Sequence, residues 1–281
     1  MFRGAFASLF LIFAALPAAA QTQVPSLVLA PLSIEKPELV TRLWRPISEY
    51  LEKTAGVVLR IEYSPGFDKV LEDFRAGRID LAVLGSMPYL ALRDSYPKAA
   101  PLVFFREPDG QAAMRCTFVA PAEAKLTVKQ IMNKKVALSQ PLCTCSYFAG
   151  EVLLRAAGGT LEQNRYHYLG NHNEIGLAVM RGDFDAGVMR TDAARGFASI
   201  GLAVIAETAP FPGFVLVANT ATVTPQQQAR IRQALLDAAP ETRKDWSAYA
   251  RHGTAPAADA DFDALRKVSS GIRGMPAKGN Y

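Results

Sequence analysis

From Val24 onward, short apolar runs typical of strands alternate with stretches whose apolar residues recur at helical spacing. Residues 26–30, 57–63 and 79–84 predict strands, and residues 38–53 and 68–75 predict helices. Pro46 predicts a break in the first helical stretch, with the main helix starting at that proline. This alternation is typical of βα units built around largely parallel sheets.

The same alternation continues through the middle of the chain, between two stretches that contain glycine and proline, the first of them polar. Residues 106–110 and 210–213 predict two crossings between lobes, because each interrupts the series of strands and helices. The sequence therefore predicts an α/β protein with one lobe from residues 21–112 plus 211–281 and a second from 113–210. The second lobe is predicted to contain strands at 116–120, 135–139, 166–169, 184–189 and 202–206, and helices at 127–132, 144–157, 174–181 and 191–198.

The N-terminus predicts a cleaved signal peptide over residues 1–20. A single charge at Arg3 precedes an uncharged, largely apolar run to Leu16 and the small residues Ala18 to Ala20. The run is shorter than a membrane-crossing helix, and no second apolar run of that length follows. We expect a mature periplasmic protein that starts near Gln21, is not embedded in the membrane and acts as a monomer.

Charge narrows the range of partners. Without Arg3 the chain has 30 Lys and Arg against 26 Asp and Glu, a net charge of about +4. No run of Lys or Arg occurs, which argues against a nucleic-acid partner. Mild basicity fits a protein that handles small anions.

Four motifs give the chain a resemblance to the PhnD-like periplasmic proteins that bind phosphonate, phosphite or phosphate for import. The resemblance implies a type II periplasmic-binding-protein fold, in which each lobe is a mostly parallel sheet flanked by helices and the ligand lies in the cleft between the lobes. The motifs are Leu43-Trp44-Arg45-Pro46 with Tyr50-Leu51, Gly77-Arg78-Ile79-Asp80-Leu81-Ala82 leading to Gly85 and Tyr89, Gly170-Asn171-His172, and Met180 to Gly187.

Carried over by position, the resemblance implies cleft residues in both lobes. The cleft aromatic that follows the Gly-Arg-Ile-Asp strand falls on Tyr89, a second aromatic position falls near Phe67, and the histidine falls on His172. The hydroxyl run Ser-Thr-Ser at a helix N-terminus falls on the positions Cys143-Thr144-Cys145-Ser146. Two hydroxyls of the resembling proteins are therefore thiols in this chain.

This substitution leaves two kinds of ligand open. A helix N-terminus binds anions through its unpaired backbone N–H groups, and Thr144 and Ser146 add hydroxyl donors. A thiol donates weakly, so Cys143 and Cys145 favour a soft electrophile such as Cu(I) or arsenite instead. Cys116 completes a possible set of three thiols.

The cysteines also allow structural interpretations, in which they do not bind a ligand. Cys116 on its predicted strand fits a small buried core residue. An exported protein also permits a disulfide. A Cys143–Cys145 bond makes a tight ring, and Cys116 pairs with either only if their Cα atoms lie about 4.4 to 6.8 Å apart. One cysteine stays free in every case.

The remaining candidate side chains divide between structure and site. Asp192 follows a predicted strand and fits a helix N-cap, and both Arg190 and Asp192 are able to face the cleft. Asp80 and Asp185 are expected to make structural hydrogen bonds to nearby loops. His167 is also expected to be structural.

Two functions follow from these observations. The first is a periplasmic solute-binding protein that closes around a small oxyanion and presents it to an ABC transporter. The alternative is a thiol-dependent sensor of arsenite or a soft metal that signals to a membrane histidine kinase, as in the arsenite-responsive AioX-like branch that the Arg190-Thr191-Asp192 run resembles. Neither function needs a cofactor, and neither is that of an enzyme. A nucleophilic cysteine needs a positioned base, for which His172 is the only good candidate, and the resemblance gives no support for catalysis.

Overall fold

The structure is a computed structural model that describes residues 26–32, 37–272 and 274–281. The predicted signal peptide lies outside the described residues. Among the residues described, no helix is both long and apolar enough to cross a bilayer. The strands are β1 (Ser26–Ala30), β2 (Val58–Ile61), β3 (Leu81–Leu84), β4 (Ala99–Phe105), β5 (Ala113–Met114), β6 (Cys116–Pro121), β7 (Lys135–Leu138), β8 (Arg165–Tyr168), β9 (Ala186–Arg190), β10 (Leu202–Glu207), β11 (Phe211–Pro212), β12 (Val215–Asn219) and β13 (Thr254–Pro256).

The helices flank two sheets. They are α1 (Pro37–Ala55), α2 (Phe67–Arg75), α3 (Ser86–Ser95), α4 (Ala149–Ala156), α5 (His172–Met180), α6 (Thr191–Arg195), α7 (Pro225–Asp237), α8 (Pro240–Arg243) and α9 (Asp263–Ser269). Helix α1 runs through Pro46 without interruption, so the predicted break is wrong. Its buried face packs into the core through Val40, Trp44, Ile47 and Leu51, and this burial keeps the helix continuous.

Lobe 1 is built on a six-stranded sheet in the order β13-β4-β12-β3-β1-β2. Strands β2, β1 and β3 pair in parallel, whereas β12, β4 and β13 add antiparallel pairs. The expected parallel pairing therefore holds for one half of the sheet. The antiparallel half contains β12, which the chain supplies only after it has formed the other lobe.

Lobe 2 has a five-stranded sheet in the order β10-β6-β9-β7-β8. Here too β8, β7 and β9 are parallel, and β6 and β10 pair antiparallel at the other side. The helix predicted over 127–132 is only a short turn at Val128–Gln130. The helix predicted over 144–157 begins at Ala149, because residues 144–148 form a wide, irregular turn.

The two chain crossings meet in a small ribbon. Strands β5 and β11 pair antiparallel, with Phe211 opposite Met114 and Pro212 opposite Ala113. Strand β11 falls within the predicted second crossing at 210–213, whereas β5 begins three residues after the predicted first crossing at 106–110. We call the β5–β11 ribbon the hinge, because the chain passes between the two sheets here.

The C-terminal segment corrects part of the predicted lobe division. We predicted that residues 211–281 lie wholly in lobe 1, but Asn280 exchanges backbone and side-chain hydrogen bonds with Tyr166 on β8. Tyr168 donates its hydroxyl hydrogen bond to the carbonyl of Pro276. The segment 274–281 therefore crosses back to lobe 2 and covers the outer edge of β8.

Candidate interlobe binding site

Lobe 1 contributes the N-terminus of a regular helix to the cleft. The fully buried strand β3 ends at Leu84, and Gly85 caps helix α3 without a side-chain hydrogen bond. The backbone N–H of Met87, in the first turn of α3, donates to Thr144 Oγ1 of lobe 2 across 3.0 Å. A β-carbon at Gly85 would lie 3.1 Å from that same oxygen. Glycine at this position therefore allows the two lobes to meet.

Lobe 2 contributes an irregular segment, residues 139–148, which we call the cleft loop. Leu142 has a φ of 64°, and Cys145 and Ser146 have non-helical backbone angles inside the turn that precedes α4. Gln140 donates to the carbonyl of Gly170 at 2.8 Å and fixes one end of the loop. The loop thus presents Thr144 to lobe 1 without forming a regular helix there.

A disulfide holds the other end of the cleft loop. Cys145 is bonded to Cys116 on β6, with the two Cα atoms 5.0 Å apart. Cys143 is the free cysteine of the described chain, and its thiol is buried. Burial raises the pKa of the Cys143 thiol, so it stays protonated at neutral pH.

This pairing corrects the interpretation of Cys116, Cys143 and Cys145 as a set of three soft-ligand thiols. Two of the three sulfurs are bonded to each other, and only a protonated thiol remains to bind arsenite or Cu(I). The residues described also contain no group of three or more His, Cys, Asp or Glu side chains placed to hold a metal ion. The structural disulfide that the sequence left open is the arrangement that the structure shows.

Between the loop and helix α3 lies a buried interlobe pocket with a free volume of about 10 Å³. That volume holds about one water molecule, so the lobes are closed around it. Five of the predicted site residues line the pocket, namely Phe67, Cys143, Thr144, Cys145 and His172. Gly85, Met114, Arg190 and Phe214 complete its wall.

His172 is the first residue of α5, directly after the N-cap Asn171, whose side chain accepts from the N–H of Glu174. Its side chain is buried, and its Nδ1 has no hydrogen-bond partner. Burial, reinforced by the positive charge of Arg190, lowers the pKa of His172 to about 3. The imidazole is therefore neutral at physiological pH, and one of its nitrogens is available as a donor to a ligand.

Other buried polar atoms around the cleft also lack partners. They include Ser146 Oγ in the cleft loop, Arg190 Nη1 at the end of β9 and Thr191 Oγ1 at the start of α6. Buried polar groups in folded proteins are nearly always hydrogen-bonded. Their concentration in this one part of the molecule indicates a place for a polar ligand.

Tyr89 corrects the predicted site. Its ring is fully buried inside lobe 1, packed 4.2 Å from the ring of Phe262, and its hydroxyl donates to Asp259 at 2.6 Å. The residue lies in the second turn of α3 and points away from the cleft. Ser146 is likewise buried in the loop and does not form part of the pocket wall.

Asp192 lies on the rim of the cleft and not in the central pocket. The predicted N-cap role is wrong, because α6 is capped by Arg190 and Asp192 is the second helical residue. Its carboxylate accepts two hydrogen bonds from Arg190, at 2.8 and 2.9 Å. The sequence allowed both Arg190 and Asp192 to face the cleft, and of the two only Arg190 lines the central pocket.

Asp80 and Asp185 have structural roles, as predicted, but they bond to strands and not to nearby loops. Asp80 accepts from the N–H of Val28 on β1, and Asp185 accepts from the N–H of Lys135 on β7, both at 2.7 Å. Each therefore fixes the start of a parallel strand pair in its own lobe. His167 lies on β8 against the C-terminal Tyr281, outside the cleft.

Two sheets joined by a two-stranded hinge, with a buried pocket between them, define a two-lobed binding protein. Solved structures of similar fold include PhnD1 from Prochlorococcus marinus in complex with methylphosphonate, at 14% identity and a TM-score of 0.78, covering 89% of this chain and 99% of that one. A binding protein component of an ABC phosphonate transporter from Pseudomonas aeruginosa is similar at 15% identity and a TM-score of 0.73, covering 88% and 86%. A Xanthomonas citri protein bound to chloride ion is similar at 18% identity and a TM-score of 0.72, covering 88% and 97%.

A family model described as "ABC transporter, phosphonate, periplasmic substrate-binding protein" matches residues 29–262. The chain belongs to this family of periplasmic phosphonate-binding proteins of ABC transporters. The resemblance derived from the sequence motifs is thereby confirmed, as is the two-lobed fold. Members of the family are solute-binding proteins, which agrees with the first of the two functions derived from the sequence and does not favour the sensor.

Proposed function

We propose that the interlobe pocket binds a small oxyanion of the phosphonate, phosphite or phosphate type. The observation that carries the proposal is a pair of buried, unpartnered polar atoms on residues of the pocket wall, His172 Nδ1 and Arg190 Nη1, with Thr191 Oγ1 unpartnered on the adjoining cavity. An oxyanion offers several acceptor oxygens to such a set of donors within a small volume. The similar fold of the Prochlorococcus marinus protein, which was solved in complex with methylphosphonate, supports this class of ligand.

Helix α3 adds a backbone component to the proposed site. The first N–H groups of a helix carry partial positive charge and are anion-binding groups. In the closed structure the hydroxyl of Thr144 accepts from one of them, the N–H of Met87. Because a hydroxyl both donates and accepts, Thr144 is placed to receive the backbone hydrogen bond from lobe 1 and to donate to a ligand oxygen at the same time.

Binding requires movement of the lobes. The pocket has room for about one water molecule in the closed arrangement, so an oxyanion enters only when the lobes separate about the β5–β11 ribbon. A ligand that contacts both lobes then favours a closed form by its differential affinity for it. We propose that this ligand-bound closed form is what the protein, acting as a monomer, presents to its ABC permease.

The test is calorimetric titration of the purified mature protein with methylphosphonate, phosphite and phosphate at one fixed ionic strength. We expect saturable binding of at least one of the three. Thr144→Val should weaken it by about 10-fold, because the change leaves the Met87 N–H without an acceptor and removes a donor to the ligand. Thr54→Val is the matched control, since that hydroxyl is exposed on α1 and bonds only within its own helix.

No binding of any of the three anions to folded protein would refute the proposed ligand class. Equal affinities for the wild type and Thr144→Val would show instead that the ligand binds away from the cleft loop. The two results are distinguishable in one series of titrations.

A further inference from the structure

Arg190 occupies the point where the central pocket meets two larger cavities of the cleft. The cavity on the hinge side has a volume of about 390 Å³ and includes Glu107 and Thr191 in its wall. The cavity on the opposite side has a volume of about 490 Å³ and includes Asn171 and Tyr249. Arg190 is part of the wall of all three spaces. The Arg190 side chain therefore lies against both larger cavities as well as the central pocket.

The guanidinium group of Arg190 joins lobe 2 to the hinge and to lobe 1. Its Nη2 donates to Glu107, which follows β4 at the first crossing, at 2.5 Å. Its Cζ lies 4.6 Å from the ring centre of Phe214 and 5.8 Å from that of Tyr249, both in lobe 1. Such cation–π contacts strengthen when they are shielded from water, and the Arg190 side chain is only 4% exposed.

One nitrogen of this buried group remains unused. Nε and Nη2 bond to Asp192 and Glu107, whereas Nη1 has no partner and is buried. A guanidinium donor that is buried without an acceptor is costly. Because Arg190 also lines the central pocket, an oxyanion bound there supplies the missing acceptor.

We propose that Arg190 both donates to the bound anion through Nη1 and latches the lobes together through Glu107, Phe214 and Tyr249. This inference rests on the proposed function, since it names a residue of the same site. Lobe closure and anion capture then share one side chain, so that each favours the other. Opening the cleft removes Arg190 from the aromatic rings of lobe 1 and exposes its charge to water.

The charges around Arg190 indicate how the anion is held. Glu107 and Asp192 place two carboxylates against one guanidinium, so the immediate surroundings carry no excess of positive charge. The anion is therefore held by directed donors and not by a positive field. Such binding depends only weakly on salt concentration, in contrast to binding that neutralises an exposed basic patch.

The experiment compares Arg190→Met and Arg190→Lys with the wild type in two measurements. The first is the radius of gyration from small-angle X-ray scattering without added anion, which reports lobe closure. The second is calorimetric titration with methylphosphonate at 50 and 300 mM NaCl. Arg115→Met is the matched control, because Arg115 lies on the rim of the hinge-side cavity, is 47% exposed and does not line the central pocket.

We expect Arg190→Met to enlarge the radius of gyration and to weaken methylphosphonate binding by about 10- to 100-fold, the range for hydrogen bonds to charged groups. Arg190→Lys keeps the charge but not the fork of donors, so its affinity for methylphosphonate should lie between those of the wild type and Arg190→Met. Arg115→Met should match the wild type in both measurements. A folded Arg190→Met protein with unchanged closure and affinity would overturn the proposal.

Phe214→Leu provides an independent test if Arg190→Met does not fold. It removes the ring that Arg190 contacts in lobe 1 and leaves the buried charges intact, so it should also open the lobes. Unchanged lobe closure in this variant would contradict the proposed latch. If the wild type binds none of the three phosphorus anions, the proposed function fails, but the scattering measurement still decides whether Arg190 latches the lobes.

Discussion

The two faces of the cleft follow the same plan and are held in different ways. In lobe 1 the buried strand β3 leads through Gly85 into a regular helix, and the backbone N–H of Met87 makes the hydrogen bond to lobe 2. In lobe 2 the strand β7 leads into the irregular cleft loop, and only after residue 148 does a regular helix begin. The same strand-to-helix turn thus gives backbone donors on one side and side-chain donors on the other.

The difference shows what an irregular binding loop requires. Helix α3 holds its first turn through backbone hydrogen bonds such as that from the N–H of Tyr89 to the carbonyl of Gly85, and Gly85 caps it without a side-chain hydrogen bond. The cleft loop lacks that internal support and is fastened instead by the Cys116–Cys145 bond and by the Gln140 hydrogen bond to Gly170. Lobe 1 should therefore be insensitive to reductant, and the loop of lobe 2 should depend on its disulfide.

The largest expected effect comes from removing the Cys116–Cys145 disulfide. Replacing both Cys116 and Cys145 by Ser should lower the free energy of unfolding by about 2–4 kcal/mol, since the bond closes a segment with a sequence separation of 29 residues. Urea unfolding followed by circular dichroism measures the change. The double variant should also bind methylphosphonate more weakly, because Thr144 stands next to Cys145 in the loop.

Cys143→Ala serves as the control for this prediction. The Cys143 thiol is buried in the same loop but forms no disulfide, and its replacement should cost less than the double substitution. Equal losses for the two proteins would mean that packing, and not the covalent bond, supports the cleft loop.

An intermediate effect on stability is expected when the pH is lowered. The pKa of His172 is about 3 in the folded protein against an ordinary 6.5, owing first to burial. Between these values the unfolded chain binds a proton that the native protein does not, so stability falls as the pH decreases from about 6.5. The loss attributable to His172 is up to about 1.4 kcal/mol per pH unit, and it is absent above pH 7.

Unfolding of the wild type and of His172→Asn by urea at pH 7.5, 6.0 and 5.0 isolates this contribution. The asparagine variant keeps a polar side chain that does not titrate, so its stability should decline less steeply with acid. Parallel curves for the two proteins would show that His172 is accessible to protons in the native state.

The smallest expected effect lies at the contact between the two faces. Gly85→Ala places a β-carbon 3.1 Å from Thr144 Oγ1, whereas its next neighbour, Pro88 Cδ, is 3.7 Å away. The lobes should close less completely, and affinity for methylphosphonate should fall by about 5-fold, or about 1 kcal/mol. Titration of the variant measures this loss.

A double-mutant cycle sharpens that result. Because the new contact is with Thr144, adding Thr144→Ala to Gly85→Ala should cost less than the sum of the two single changes. Strict additivity would indicate that the alanine acts within helix α3 and not on the opposite lobe. Gly271→Ala, whose β-carbon meets no atom closer than 3.7 Å, controls for the loss of a glycine.

Local pattern and family motifs predict most of the fold. Strand β1 has the predicted bounds, and the predicted second crossing at 210–213 contains β11 of the hinge ribbon. The continuity of α1 through Pro46 and the irregular turn at residues 144–148 were not predicted, because each depends on tertiary packing that overrides a local signal.

The candidate site is predicted in part for the same reason. Phe67, Thr144 and His172 share one pocket because each lies at the start of a helix or turn that faces the cleft. Position in a motif places Tyr89 on α3 but does not determine the direction of its ring, which Asp259 and Phe262 fix from a distant part of the chain. The pairing of Cys116 with Cys145 likewise depends on the distance between β6 and the cleft loop, which the spacing of the cysteines in the sequence does not determine.

The position of β12 in the middle of the lobe 1 sheet bears on the order in which the molecule folds. This strand lies between β4 and β3, yet it follows the whole of lobe 2 in the chain. A chain that is synthesised from its N-terminus therefore contains all five strands of lobe 2 before it contains all the strands of lobe 1, although lobe 1 begins first. The long sequence separation of these pairings makes lobe 1 the slower lobe to form, and the hinge is assembled only when the second crossing has been made.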